Sequence, residues 1–130
     1  MKYKEIPQEI EEIATAVVYA AFKVHKALGP GLLEKVYEIA FCHEIKKKGF
    51  DCKRQVYIPI IYYGIEFEEG LRLDVIIEDK VIIELKAIET VNPVLEAQII
   101  SHLKLTGNQL GFLINFNVPL IKQGIRRFVN

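Results

Sequence analysis

Asp74, Glu84 and Lys86 lie in an otherwise aliphatic run, Arg72-Leu-Asp-Val-Ile-Ile-Glu-Asp-Lys-Val-Ile-Ile-Glu-Leu-Lys86. The run reads as two β-strands with a tight connection. Glu84 and Lys86 are two apart, so they project from one face of their strand. With Glu78-Asp79-Lys80 as the connection, Ile77 pairs with Val81. Counting outwards then sets Asp74 opposite Glu84. Leu71, Leu73, Val75, Ile77, Val81, Ile83, Leu85 and Ala87 form an apolar face that needs a core. The other face carries Arg72, Asp74, Glu84 and Lys86, with Ile76 and Ile82 near the turn. Carboxylates facing each other across a ladder repel. A divalent cation between them would turn that repulsion into a binding site. The competing reading is a surface hairpin whose neighbours Arg72–Asp74 and Glu84–Lys86 pair. The aliphatic surroundings of Glu84 weigh against it, since buried charges are costly unless paired or bound to a cation.

Three more polar residues are placed to face this hairpin. Glu34 lies near the start of a helix that follows Gly31, beside Tyr37, Phe41 and Ile45 on the helical wheel. It can serve the helix dipole or point at the hairpin. Gln98 and His102 are four apart and share one face of the helix that follows Lys86. His25 and His43 show no metal-ligand spacing.

The elements that must position these residues follow from periodicity. Ile10, Ile13, Val17, Ala20, Ala21, Val24 and Leu28 recur at helical spacing over residues 7–28, with Pro7 in the first turn. Gly29-Pro30-Gly31 breaks the chain. A second helix is predicted over 32–48, with Gly49 as its cap. From Cys52 the period becomes two. A strand is predicted up to about Tyr63, with Pro59 marking an edge, and a second from Phe67 to Ile77 with Gly70 as a bulge. Residues 81–87 complete an antiparallel meander. Asn92-Pro93 opens a third helix that ends at Gly107. Leu110 to Phe116 suits a strand buried on both faces, and 125–129 reads as an edge strand or a short helix. The order α-α-β-β-β-α-β gives the α/β class with a mixed sheet.

Composition narrows the function. The chain has 130 residues, 51% of them hydrophobic, which fits one domain over 1–130. Formal net charge is zero, from 17 basic and 17 acidic residues, so charge alone does not argue for nucleic acid. Local patches would be needed: Lys46-Lys47-Lys48 with Lys53-Arg54, or Lys122 with Arg126-Arg127. Cys42 and Cys52 lack CxxC spacing and read as reduced thiols of a cytoplasmic protein. The N-terminal residues carry no apolar signal run, and no apolar stretch approaches the ~20 residues of a membrane span.

Taken together these residues resemble a known family. Gly31-Leu-Leu-Glu34-Lys-Val-Tyr37 fits the pattern GxxExxY. Asp74, Glu84-Leu85-Lys86 and Gln98 follow in the order of PD-(D/E)XK nucleases. The chain thus resembles a small GxxExxY protein of that superfamily over almost its whole length. The resemblance implies a restriction-endonuclease-like αβββαβ core, a mixed sheet flanked by helices, with an extra N-terminal helix. It implies that Asp74, Glu84, the Leu85 carbonyl and Glu34 hold Mg2+ or Mn2+. It implies that Lys86 activates water and that Gln98 supports the site or holds a nucleic-acid backbone. Tyr37, Arg72 and His102 are the candidate substrate contacts. Two departures stand out. Position 102 is His where the QxxxY exonuclease subgroup has Tyr, and Leu73 replaces the Pro of the Pro-Asp pair.

The expected activity is Mg2+-dependent phosphodiester hydrolysis, on DNA in preference to RNA. The absence of a GxxxxGK[ST] loop argues against ATP hydrolysis. The alternatives are a non-catalytic nucleic-acid-binding or regulatory module, and an interaction protein whose acidic pair is a surface pattern. A homodimer, with Tyr57, Tyr62 and Tyr63 at the contact, would help a small nuclease span a duplex.

Overall fold

A computed structural model describes residues 5–130. Helix α1 (Gln8–Leu28) buries the stripe Ile10, Ile13, Ala14, Val17, Ala20, Ala21 and Val24, spaced for one helical face. Glu9 and Glu11 in its first turn, and His25 and Lys26 in its last, complement the helix dipole. Helix α2 (Glu34–Lys47) begins two residues later than the sequence suggests, because Leu32 and Leu33 remain outside it. Its C-terminus closes as predicted at Gly49, whose φ is 91°. The Gly49 N–H donates to the Lys46 carbonyl and the Phe50 N–H to that of Ile45, which satisfies two otherwise free carbonyls.

Five strands form the main sheet, in the order β1-β4-β5-β6-β7: β1 (Cys52–Ile58), β4 (Leu71–Ile77), β5 (Val81–Lys86), β6 (Leu110–Asn115) and β7 (Ile125–Val129). A separate small hairpin joins β2 (Ile61–Tyr62) to β3 (Ile65–Glu66). All main-sheet pairs are antiparallel except β5–β6. Parallel neighbours need a crossover, and helix α3 (Pro93–Thr106) supplies it. Asn92 caps α3 by accepting from the Val94 and Leu95 N–H groups, with Pro93 at the first helical position. Residues 125–129 form an edge strand, and β6 is buried along its entire length. Among the described residues three α-helices therefore flank a mixed five-stranded sheet, the restriction-endonuclease-like α/β arrangement with α1 added at the front.

The sheet divides two cores. Val75, Ile77, Val81, Ile83 and Leu85 pack with the buried side chains of α1 and α2. Leu73, Ile76 and Ile82 pack with Leu103 of α3. Gly111 lets α3 sit close: a Cβ there would lie 3.1 Å from Ile99 Cδ1. Each of these large aliphatics contributes about 1.5–3 kcal/mol through burial.

Three expectations are corrected. Residues 60–63 do not extend β1, because Pro59 has no N–H to continue the ladder and Ile61 and Tyr62 enter their own hairpin. Gly70 is not a bulge within a long strand. It precedes β4 and presses against Tyr57, where a Cβ would lie 2.4 Å from the ring. Leu73 leaves the face assigned to it and joins Ile76 and Ile82 in the second core. Simple alternation therefore fails between Leu73 and Val75.

Candidate metal centre

The predicted register holds: Ile77 pairs with Val81, Ile76 with Ile82 and Val75 with Ile83. The regular ladder stops one pair short of Asp74 and Glu84. In its place the Asp74 carboxylate accepts the Leu85 backbone N–H at 3.0 Å. A side chain thus substitutes for a strand carbonyl, and this pins Asp74 to the end of β5.

Glu84 lies on β5 with aliphatic neighbours on both sides and is 8% exposed. Its Oε1 lies 3.2 Å from Nδ1 of His102 on α3, a geometry that calls for the ring proton on Nδ1. Burial and the neighbouring Glu84 charge push Asp74 up to about 7, against the Leu85 N–H and Lys86, which favour its ionised form. Asp74 thus lies near enough to Glu84 for the negative charge of Glu84 to disfavour ionisation of Asp74.

Glu34 is the first residue of α2 and is half-buried. Its pKa is raised, first by burial and then by Glu38 and Glu84, while Lys86 opposes the shift. The charge of Lys86 thus favours the ionised forms of both Glu34 and Asp74. Its own backbone is anchored by the Phe116 N–H, which donates to its carbonyl at 2.9 Å.

The donor set fits a hard divalent cation. One Asp74 oxygen is held by Leu85 and one Glu84 oxygen by His102, and each carboxylate keeps a second oxygen. Among the described residues no group of three His, Cys, Asp or Glu side chains forms a ready metal cluster. Mg2+ does not require one, since it is commonly held by one or two carboxylates and retains several waters.

The remaining candidates lie as follows. Gln98 is exposed on α3, one turn before His102. Arg72 is exposed on β4, opposite Tyr57. Tyr37 is fully buried and offers no surface to a substrate. Its ring stacks on Phe116 with centroids 4.6 Å apart. Its hydroxyl donates to the Gly29 carbonyl at 2.5 Å and accepts the Leu32 N–H at 3.1 Å. Tyr37 thus fixes the turn that leads into Glu34.

Pattern reading missed two polar groups. Asn115, 2% exposed at the end of β6, bonds both the N–H and the carbonyl of Ile88 and so anchors the segment after Lys86. Its signal is a polar residue closing an apolar run. Glu38, 5% exposed, accepts from Arg54 and Gln55. Its helical spacing with Phe41, Cys42 and Ile45 places it on the buried face.

The basic clusters are largely occupied internally. Lys47 pairs with Glu44, Lys53 with Asp79 and Asp51, and Arg54 with Glu38. Arg126 pairs with Glu96 and Arg127 with Glu11. Lys48 lies 3.9 Å above the Tyr19 ring. A concavity of about 670 Å3 along α1 and β7 includes none of Glu34, Asp74, Glu84 or Lys86 in its lining. An enclosed apolar cavity is not a requirement for a site that would act on a polymer, so the carboxylates remain the candidate site. Among the described residues no helix is long and apolar enough to cross a membrane.

No curated protein and no solved structure matches the chain. The family model described as PD-(D/E)XK nuclease superfamily matches residues 11–128, a span that includes Glu34, Asp74, Glu84, Lys86 and Gln98. An Asp and a Glu-x-Lys converging at the end of a central strand is the arrangement that name denotes, and the chain belongs to the PD-(D/E)XK nuclease superfamily.

Proposed function

We propose that this protein is a GxxExxY-type nuclease that uses Mg2+ or Mn2+ to hydrolyse phosphodiester bonds, in DNA rather than RNA. The observation that carries the reading is the Asp74 carboxylate pinned by the Leu85 N–H, between Glu84 and Lys86 of the adjacent strand, in a chain of the nuclease superfamily. Asp74 and Glu84 would hold the cation through their remaining oxygens, with the Leu85 carbonyl and Glu34 as further ligands. A bound divalent cation supplies Lewis acidity and a more acidic water. Lys86 orients that water and offsets negative charge growing on the phosphate. Gln98 and His102, on one face of α3, would support the site from the sheet face that carries Glu84. Gln98 and Arg72, both exposed, are the side chains available to the strand backbone.

The reading takes residues 1–130 as one nuclease-like domain working in the cytoplasm. It includes a homodimer, because Arg54, Arg126 and Arg127 are paired internally, a shortage of free guanidinium groups that a second copy would relieve on a duplex. That same shortage favours a second reading, a module that keeps the fold and binds nucleic acid weakly without cutting it. The deciding experiment incubates single- and double-stranded DNA and RNA with the protein in Mg2+ or Mn2+. Cleavage lost in Asp74→Asn and Lys86→Ala supports the nuclease. Metal-independent binding with a steep salt dependence and no cleavage supports the module.

A further inference from the structure

Gln55 adopts a left-handed backbone in the middle of β1, with φ at 51°, a conformation that L-residues other than Asn and Asp rarely take. Such outliers persist only where their surroundings hold them. Glu38 supplies the hold. Gln55 Nε2 donates to both of its carboxylate oxygens, at 3.1 and 3.2 Å, and Arg54 Nε donates to Oε1 at 3.2 Å. Consecutive strand residues normally point to opposite faces. Arg54 and Gln55 reach the same carboxylate because the left-handed residue turns the strand.

The turn has a counterpart on β4. The pairs Arg54–Val75 and Val56–Leu73 form, while the position between them, Gln55 against Asp74, is skipped. Val75 and Ile77 belong to the core under α1 and α2, but Leu73 belongs to the core under α3. The interruption in both strands is thus centred on Asp74. It occurs where Asp74 departs from the ladder to accept the Leu85 N–H. Glu38 lies one turn after Glu34 on α2, so it also ties the helix that carries Glu34 to the strand pair that carries Asp74.

We propose that Glu38, acting through Arg54 and Gln55, is a positioning residue that keeps β1 and β4 kinked and so holds the Asp74 carboxylate against Leu85 and Glu84. The value of this to metal binding rests on the nuclease reading; the kink itself does not. The test compares Glu38→Ala, Glu38→Gln and Glu38→Ala/Gln55→Gly with wild type, by hydrogen exchange at individual amides and by Mn2+ titration calorimetry. In Glu38→Ala the Leu85 amide should exchange at least about tenfold faster, while Ile83 and Ile114 stay protected. Mn2+ affinity should fall by a similar factor. Adding Gln55→Gly should restore part of both, since glycine takes positive φ without a tether. Uniformly faster exchange along the sheet, with no rescue by glycine, would mean a merely structural role and overturn the proposal. So would unchanged Leu85 exchange. Glu38→Gln keeps the side chain's size and gives the same readout in milder form if the alanine variant does not fold. Wild-type protein that binds no Mn2+ would overturn the metal-centre reading alone, and Leu85 exchange would still decide whether Glu38 positions Asp74.

Discussion

Asp74 accepts the backbone N–H of Leu85 at 3.0 Å, so a carboxylate on β4 occupies the place of a strand carbonyl at the end of β5. The contact leaves one Asp74 oxygen free and brings it beside Glu84. Under the proposed function, removing the Asp74 carboxylate would have two effects, loss of a metal oxygen and an unpaired Leu85 amide. Lys86 has neither structural duty, being half-buried at the strand end. Lys86→Ala should lower nuclease activity by about 100-fold or more while leaving Mn2+ binding and the melting temperature nearly unchanged. Asp74→Asn should abolish both activity and Mn2+ binding. Titration calorimetry and a nicking assay on the same preparations separate the two outcomes. Full activity in either variant would remove that residue from the site.

The raised pKa of Asp74 makes both stability and metal binding depend on pH. Its ordinary value is near 3.8, and in the folded chain burial and Glu84 raise it to about 7. The folded state thus binds this proton more tightly than the unfolded state does. The resulting stabilisation is complete below about pH 4 and is lost as pH rises to about 7. Other groups titrate across the same window, so the comparison is wild type against Asp74→Asn in urea melts. The stability difference, wild type minus variant, should decrease steadily from pH 4 to pH 7. Metal binding has the opposite dependence, because the cation must displace the proton. Mn2+ affinity should rise about tenfold per pH unit below about 7 and level off above it. Affinity that does not vary with pH would show that Asp74 is not a ligand.

How much of this could be read from residues alone depended on whether each element follows its own period. Strands β5 and β6 are nearly continuous aliphatic runs, and the three-residue connection 78–80 set the register of β5 with β4, which brings Asp74 near Glu84 although the ladder itself ends at Val75 and Ile83. Asn92-Pro93 and Gly49 marked helix ends because capping chemistry is local. The face change at Leu73 was not legible, since alternation assumes a regular strand and nothing in Arg54-Gln55-Val56 announces a left-handed residue. Glu38 looked like one more helix charge, because its partners come from a strand 16 and 17 residues later. Ile60 to Tyr63 read by composition as a continuation of β1, and the missing N–H of Pro59 was the hint that Ile61 and Tyr62 enter a separate hairpin.

Tyr37 is the clearest case of a motif residue with a packing role. Its hydroxyl closes the turn before α2 through Gly29 and Leu32, and its ring stacks on Phe116. Tyr37→Phe keeps the stacking and strands both backbone groups. Unfolding in urea should show a loss of about 1–3 kcal/mol. Because Glu34 begins α2 five residues after Gly29, activity should fall with stability, and a stabilising osmolyte that restores the fold should restore it. Activity lost without any loss of stability would instead give the hydroxyl a direct role at the substrate.

His102 links α3 to the acidic pair through the 3.2 Å contact between Nδ1 and Glu84 Oε1, with both side chains mostly buried. Without it, Glu84 loses its hydrogen-bonded neighbour on α3, and its carboxylate can rotate away from the proposed site. Groups that orient a metal-binding side chain are typically worth 10–100-fold in affinity. His102→Ala should therefore weaken Mn2+ binding by about tenfold and lower activity in proportion at limiting metal. Saturating Mn2+ should recover most of that activity, which it cannot do for Lys86→Ala. His102→Gln, able to donate to Glu84 from a similar position, should fall between the wild type and the alanine variant. If saturating metal leaves His102→Ala as impaired as Lys86→Ala, His102 meets the reacting strand directly instead of acting through Glu84.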